Sequence, residues 1–239
     1  MRHQTCLLLA LSIAGSVFAC TSSSSTTNPA TTDGADGSVE PSDNDGGDET
    51  TTDGGTGGGK DSTGPDTQYK RVFITSARYS GDLKTAGNAA DGLAGADKLC
   101  MAAATGAALG GTWKAFISGK VGSSTVNAPD RIAGSGPWLL VSGDFVAFET
   151  RGELSTGSPH GPLDMDETGK RVGAEVVWTG TKQGAYLSPA CELAGNSWES
   201  ADFGTDGGYG APTETAGGSW ANFGTNHCGL TAHLYCFEQ

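Results

Sequence analysis

The sequence predicts an α+β domain over residues 69–239, built from short strands, one main helix and long loops. From Tyr69 onward the chain changes to short β-rich runs separated by glycine, a pattern typical of strands joined by turns. A single alanine-rich segment has the character of a helix. About 170 residues is the size of one ordinary domain, and this mixture of elements favours the α+β class.

The first strand is expected at residues 70–76, which read KRVFITS. The main helix is expected at residues 91–104, and Asp91 suits its N-cap because a carboxylate there accepts hydrogen bonds from the first turn. Further short strands are expected at residues 112–118, 138–141, 145–148, 175–179 and 233–237.

The N-terminus has the layout of a secretion signal over residues 1–19, with a positive start and an apolar run too short to span a bilayer. Val17-Phe18-Ala19-Cys20 resembles the lipobox of bacterial lipoproteins, in which the cysteine is lipidated and becomes the first residue of the mature chain. The alternative is an ordinary signal peptide with Cys20 as a free thiol. Thr21 stands where an aspartate would signal inner-membrane retention, so the resemblance implies a bacterial envelope protein that a lipid on Cys20 anchors in the outer membrane.

Residues 20–68 form a predicted tether of Ser, Thr, Gly, Asp, Asn and Pro. Such a composition cannot offset the entropy of ordering, so we expect this segment to be disordered. Flexible-coil scaling gives a mean reach of roughly 40 Å. The tether therefore holds the following domain away from the membrane surface.

Four cysteines remain in the predicted domain: Cys100, Cys191, Cys228 and Cys236. An even number in an oxidising compartment favours two disulfides, although the spacing alone allows three pairings. His227 precedes Cys228, so a thiolate nucleophile or a metal-binding pair is the alternative for that cysteine.

Several motifs resemble known families. They are Gly95-Ala96-Asp97 with Cys100, the run from Gly111 to Ser118, Val72-Phe73-Ile74-Thr75, Val177-Trp178-Thr179-Gly180-Thr181 and the ending Leu234-Tyr235-Cys236-Phe237-Glu238-Gln239. They are similar to the endostatin domain of collagens and, more closely, to a bacterial lipoprotein family called domain of unknown function 1554. The resemblance implies a compact C-type-lectin-like (endostatin-like) fold with nested disulfides, Cys100–Cys236 and Cys191–Cys228.

The sequence also departs from these relatives. The calcium-binding triplets of sugar-binding C-type lectins are absent, and the histidines of the mature chain do not match the zinc site of endostatin. The predicted domain has more acidic than basic residues, so a basic patch for polyanions is not expected, and nucleic acid is not an expected partner.

A possible calcium loop lies in the middle of the domain. Asp164, Asp166, Thr168 and Glu175 occupy the first, third, fifth and twelfth places of an EF-hand spacing. The alternative is a hairpin turn of Asp-x-x-Gly type before the Trp-Thr-Gly strand, because the predicted flanks are not helices. Calcium is the one cofactor that the sequence suggests, and the hairpin turn is the favoured interpretation.

The segment from Glu192 to His227 is predicted to be a glycine-rich loop that carries the ligand site, as the long loop usually does in lectin-like folds. Tyr209 is expected to be exposed, whereas Trp198 and Trp220 are expected to pack beneath the loop. The candidate ligand-binding residues are Asp206, Tyr209, Asn222 and Asn226.

No catalytic motif is evident, and the only candidates for hydrolysis are paired carboxylates such as Glu149 and Glu153. We therefore expect a non-catalytic lectin-like binding or adhesion domain that is displayed at the cell surface and recognises an extracellular carbohydrate or protein. The alternatives are a hydrolase that acts on surface glycans and a structural envelope protein.

Overall fold

The computed structural model describes residues 69–182, 184 and 186–239. The predicted signal peptide, the lipidation site at Cys20 and the tether of residues 20–68 lie outside the described residues. None of the helices in the described part of the chain has the length and apolar character needed to span a bilayer.

The described chain is mixed α+β, with mostly strands and few helices, as the sequence predicts. The strands are β1 (Lys70–Ile74), β2 (Trp113–Ala115), β3 (Gly119–Val121), β4 (Ser124–Val126), β5 (Trp138–Leu140), β6 (Val146–Phe148), β7 (Val177–Trp178), β8 (Thr181–Lys182), β9 (Tyr186–Leu187), β10 (Asp206–Gly210), β11 (Gly224–His227) and β12 (His233–Glu238). The helices are α1 (Leu83–Ala86), α2 (Gly92–Gly106), α3 (Ala128–Arg131) and α4 (Glu153–Thr156).

Strand β12 lies at the centre of the main sheet, whose order is β11-β10-β7-β12-β1-β5-β6. One side of β12 pairs antiparallel with β1. The other side pairs in parallel with β7 near His233 and antiparallel with β2 near Cys236. Two short hairpins, β3–β4 and β8–β9, lie outside this sheet.

The main sheet is buried on both faces, and the alternation of side chains divides the core into two clusters. Phe73 and Leu234 belong to the cluster on the α2 side, whereas Val72 and Tyr235 belong to the cluster on the opposite side. Burial on both faces explains why β12 is a nearly continuous apolar run in the sequence.

Helix α2 begins after Asp91, whose carboxylate accepts a hydrogen bond from the amide of Ala94 at 2.8 Å. The predicted N-cap is therefore confirmed, and the helix extends two residues beyond the predicted end. Gly95 lets α2 approach α1 closely, because a Cβ atom there would lie 2.1 Å from the carbonyl oxygen of Leu83. The helix packs its apolar face on the main sheet through Ala96, Leu99 and other buried residues.

Two disulfides connect these elements, and their pairing confirms the nested arrangement that the resemblance implies. Cys100–Cys236 joins α2 to β12, with the two Cα atoms 5.5 Å apart. Cys191–Cys228 closes a shorter stretch of chain, with a Cα–Cα distance of 5.6 Å. Chain-entropy arithmetic gives upper values of about 5 and about 4 kcal/mol for these cross-links.

The predicted strands recur as β1, β2, β5, β6, β7 and β12, most of them shorter at the ends than expected. The predicted loop of residues 192–227 requires correction, since it contains β10 and β11. The sequence of β10, DGGYG, has low strand propensity. Glycine is required there by close packing, because a Cβ atom at Gly210 would lie 1.8 Å from the carbonyl oxygen of Trp220.

Candidate functional site

The segment between Cys191 and Cys228, here called the closed segment (residues 192–227), continues the main sheet. Strand β10 pairs antiparallel with β11 over four residue pairs, from Asp206↔His227 to Tyr209↔Gly224. Its other edge pairs with β7, where Tyr209 lies opposite Trp178. Much of the predicted ligand loop is therefore held by backbone hydrogen bonds.

The β10–β11 pairing separates the predicted ligand residues onto two faces. Gly207 faces the Cys191 sulfur and the Trp178 ring, and Tyr209 shares that face and packs against the core cluster on the α2 side. Asn226 lies opposite Gly207 and therefore points to the same face. Tyr209 is half-buried, so the prediction of an exposed Tyr209 is wrong.

Asp206 lies on the opposite face, beside His227. The Asp206 Oδ1 atom is 3.0 Å from the His227 Nδ1 atom, and both side chains are more than half exposed. The ring centroid of Phe203 is 6.3 Å from that of His227. A carboxylate can orient an imidazole for acid–base chemistry. Asp206 also lines an open pocket of about 240 Å³ together with Thr205.

The two tryptophans of the closed segment are buried, as predicted. The indole of Trp198 donates a hydrogen bond to the carbonyl oxygen of Ser118 at 2.7 Å. The Trp220 ring packs on Phe116, with ring centroids 4.7 Å apart. The aromatic residues of this segment that reach solvent are instead Phe203, which is 60% exposed, and Phe223, which is 55% exposed.

Asn222, the remaining predicted ligand residue, lines a cleft of about 320 Å³ that we call the α4–β8 cleft. Its lining comes from three separate stretches of the chain. They are Leu154, Ser155, Thr156, Gly157 and Ser158 from α4 and the residues after it; Thr181, Lys182 and Gly184 from the β8–β9 hairpin; and Gly217, Gly218, Trp220, Ala221 and Asn222 from the closed segment.

The wall that the closed segment contributes is fixed to the core by buried hydrogen bonds. The hydroxyl of Tyr235 donates to the carbonyl oxygen of Trp220 at 2.8 Å, and the hydroxyl of Thr179 donates to that of Ala221 at 2.6 Å. Complete burial raises the pKa of Tyr235 well above its usual value, so this hydroxyl remains a donor. The wall is therefore preorganised.

Four polar side chains of the cleft are available to a ligand. The side chains of Ser155, Ser158, Lys182 and Asn222 form no hydrogen bond or ion pair with other described residues. Thr181 differs from them, because its hydroxyl is bonded to Thr179 and to Ser118. The cleft can thus offer hydroxyl, amide and ammonium groups to one polar molecule.

A smaller pocket of about 180 Å³, here called the Tyr186 pocket, adjoins the cleft at the β8–β9 hairpin. Lys182 and Tyr186 are paired across this hairpin, and Tyr186 is 65% exposed. The pocket is lined by Asn127, Pro129, Asp130, Ser155, Gly184 and Tyr186, so that Ser155 and Gly184 belong to both sites.

Sequence reasoning missed Ser155, Ser158, Lys182 and Tyr186. They belong to no recognisable motif, and they come from two segments that only the fold brings together. The sole sequence signal was the closed segment itself, in which Asn222 was predicted to bind a ligand and which contributes Asn222 to the cleft lining.

The predicted calcium loop is not a metal site in the described structure. The carboxylate of Asp164 forms an ion pair with Arg171, and Glu175 forms one with Arg78 at 3.2 Å. The Asp166 carboxylate accepts hydrogen bonds from Thr168 within a turn that ends at Gly169. The favoured hairpin turn is thus confirmed. Among residues 69–182, 184 and 186–239, no group of three His, Cys, Asp or Glu residues could hold a metal ion.

The structure also locates the residues of two alternative chemistries. Cys228 forms a disulfide, so it is neither a thiolate nucleophile nor a metal ligand. The Glu153 carboxylate accepts a hydrogen bond from the Glu149 amide at 2.9 Å and lies 3.5 Å from His160. Glu153 therefore fixes the local backbone before α4, and it is not among the residues that line the α4–β8 cleft.

The chain matches no family model and no curated protein.

Proposed function

We propose that this chain is a bacterial envelope lipoprotein that displays a non-catalytic, C-type-lectin-like binding domain, with the α4–β8 cleft as its ligand site. The observation that carries the binding proposal is the convergence of available polar side chains on a cleft with a preorganised wall. Ser155, Ser158, Lys182 and Asn222 reach this cleft from separate segments.

The C-type-lectin-like part of the proposal rests on the sequence motifs from Val72 to Gln239. It is supported by the α+β build and by the two nested disulfides, both of which that resemblance implies. The lipoprotein part rests on the lipobox-like Val17-Phe18-Ala19-Cys20 and on the tether that follows. Together they describe a small domain displayed beyond the outer-membrane surface.

Binding without catalysis is favoured by how the site is built. When a ligand orders a mobile glycine-rich loop, the loop loses conformational entropy, and this cost lowers the affinity for the ligand. In this domain the segment is already ordered when the chain folds. It is held by the Cys191–Cys228 disulfide, by the β10–β11 pairing and by the hydrogen bonds from Thr179 and Tyr235. The polar groups of the cleft are hydroxyls, an amide and an ammonium, which suit recognition of a polar ligand.

A saccharide array probed with the mature chain tests this function, scored for both retention and product release. Asn222→Ala should weaken retention roughly tenfold, because the side chain loses its hydrogen bonds to the ligand. Asn226→Ala is the matched control, since Asn226 lies outside the cleft, and it should leave retention unchanged. Release of shortened saccharides would contradict the non-catalytic assignment, and equal loss in both variants would contradict the site.

A further inference from the structure

We propose that the α4–β8 cleft and the Tyr186 pocket together bind a saccharide that carries a carboxylate, with the acid group against Lys182 and a sugar ring against Tyr186. This inference rests on the proposed function and specifies its ligand. It differs from calcium-mediated sugar binding, because it uses a cation of the protein itself.

The charge of the cleft supports an acidic ligand. Lys182 is the only charged side chain among the described residues that line the α4–β8 cleft, and it has no acidic partner among them. Asp130 lines the Tyr186 pocket, so the acid group belongs in the cleft and the uncharged part of the sugar in the pocket. Two other lysines do have an acidic partner: Lys120 pairs with Glu192 at 3.0 Å, and Lys84 pairs with Glu199 at 3.1 Å. The excess of acidic residues in the domain repels an anionic ligand in the cleft only weakly, because salt screens charges that lie more than about 8 Å apart.

A single cation also limits the kind of anion. One ammonium group neutralises one carboxylate, whereas a heavily sulfated or phosphorylated polymer requires an array of basic residues to offset its charge. The chain has 14 basic against 27 acidic residues, and the described residues that line this cleft include no second cation. A sugar acid with isolated carboxylates therefore fits better than a dense polyanion.

Tyr186 provides the second contact. Its ring lies over Gly184, where a Cβ atom would be 2.9 Å from the ring, and most of the side chain remains exposed. An aromatic face of this kind can cover the C–H face of a sugar ring. Because Lys182 and Tyr186 are directly paired across β8–β9, their Cβ atoms lie roughly 5 Å apart. One sugar residue can therefore reach both.

The remaining lining favours a saccharide over a peptide. The large apolar residues of the cleft, Leu154 and Trp220, are buried, so no large apolar side chain among the described lining residues is exposed as a contact for a peptide anchor. Ser155, Ser158 and Asn222 each donate and accept hydrogen bonds. Sugar hydroxyls do the same, so these groups match a polyhydroxylated ligand.

The test uses the mature chain and an array of oligosaccharides that contain uronic or sialic acids, each beside its carboxyl-reduced counterpart. The acidic member of a pair should bind roughly tenfold more tightly, the value of a charge-assisted hydrogen bond. Lys182→Gln should abolish that difference, because the acidic saccharide loses the contact that its reduced counterpart lacks. The matched control is Lys120→Gln, on another short hairpin, which should preserve the difference.

Variants of Tyr186 test the second contact. Tyr186→Ala should weaken the binding of both members of a pair, whereas Tyr186→Phe should retain it because the ring face is kept. Equal binding of acidic and reduced saccharides, or acidic preference that survives Lys182→Gln, would overturn this inference and leave the proposed binding function intact. Absence of binding to every saccharide would overturn both.

Discussion

At the scale of single residues, His233 is a buried titratable group at the start of the central strand. Its Nδ1–H donates a hydrogen bond to the carbonyl oxygen of Thr75. Burial is the largest influence and lowers the pKa of His233 below its usual value, and Arg78 acts in the same direction. Hydrogen bonding to the Thr75 carbonyl and the charge of Glu175 oppose this shift without reversing it.

We therefore expect the domain to lose stability as the pH falls below neutrality. The unfolded chain takes up a proton at His233 near pH 6.5, whereas the folded chain resists protonation until a lower pH. Between these two pKa values the free energy of unfolding should decrease by up to about 1.4 kcal/mol per pH unit.

Chemical denaturation from pH 7.5 to pH 5 measures this effect. His233→Asn removes the titration and keeps a donor near the position of Nδ1, so its free energy of unfolding should depend less on pH than that of the unmodified chain. Parallel curves for the two proteins would contradict the account of His233.

At this scale, a contact could be predicted from the sequence when its two residues lie close together along the chain. The cap at Asp91 was predictable because its partner, the amide of Ala94, is three residues away. The burial of Trp198 and Trp220 followed from their size and apolar character. Lys182 and Tyr186 gave no such signal, because what makes them a candidate site is a cleft built from distant segments.

At the scale of elements, strand β10 shows why a glycine-rich segment was mistaken for a loop. Strand propensity reflects side-chain packing, and glycine contributes none. In this fold glycine is needed because a side chain would not fit. A Cβ atom at Gly207 would meet the Cys191 sulfur and the Trp178 ring, and one at Gly210 would meet the Trp220 carbonyl oxygen. Sequence alone cannot reveal such an approach, because it depends on where Trp220 lies.

Gly210→Ala is expected to destabilise the domain by about 3 kcal/mol, since the new Cβ atom would overlap the Trp220 carbonyl oxygen and force the backbone apart. The same displacement should weaken saccharide binding, because Trp220 belongs to the cleft wall. Thermal and denaturant unfolding measure the first effect, and array binding below the unfolding transition measures the second.

Gly106→Ala is the matched control, at the end of α2, where a Cβ atom would meet nothing within 4 Å. It should leave stability unchanged or raise it by up to about 1 kcal/mol, because alanine favours the helix. Similar stabilities for the two variants would show that β10 is not as closely packed as described.

At the scale of the whole molecule, the arrangement of anchor, tether and domain is a prediction from the sequence. The structure describes the domain itself. In the proposed lipoprotein, the tether length and the lipobox-like motif would determine how far from the membrane the cleft is displayed. A domain held roughly 40 Å from its anchor could reach past the lipid headgroups.

Cys20→Ala should release the protein from membranes, since the mutant cannot receive the lipid on which the anchor depends. Mass spectrometry of the unmodified mature chain should show a protein that begins at an acylated Cys20. Detergent phase separation should place it in the detergent phase and the mutant in the aqueous phase. Equal partitioning of the two proteins would contradict the lipoprotein assignment.

The central claim is that the domain binds a polar ligand in the α4–β8 cleft without transforming it. Hydrogen–deuterium exchange of the mature chain, with and without the acidic saccharide that binds most tightly on the array, tests it most directly. We predict protection in residues 154–158, 181–187 and 217–222, together with recovery of the intact saccharide. Protection confined to residues 203–206 and 226–230, around the Asp206–His227 pair, or recovery of a cleaved saccharide, would contradict the claim.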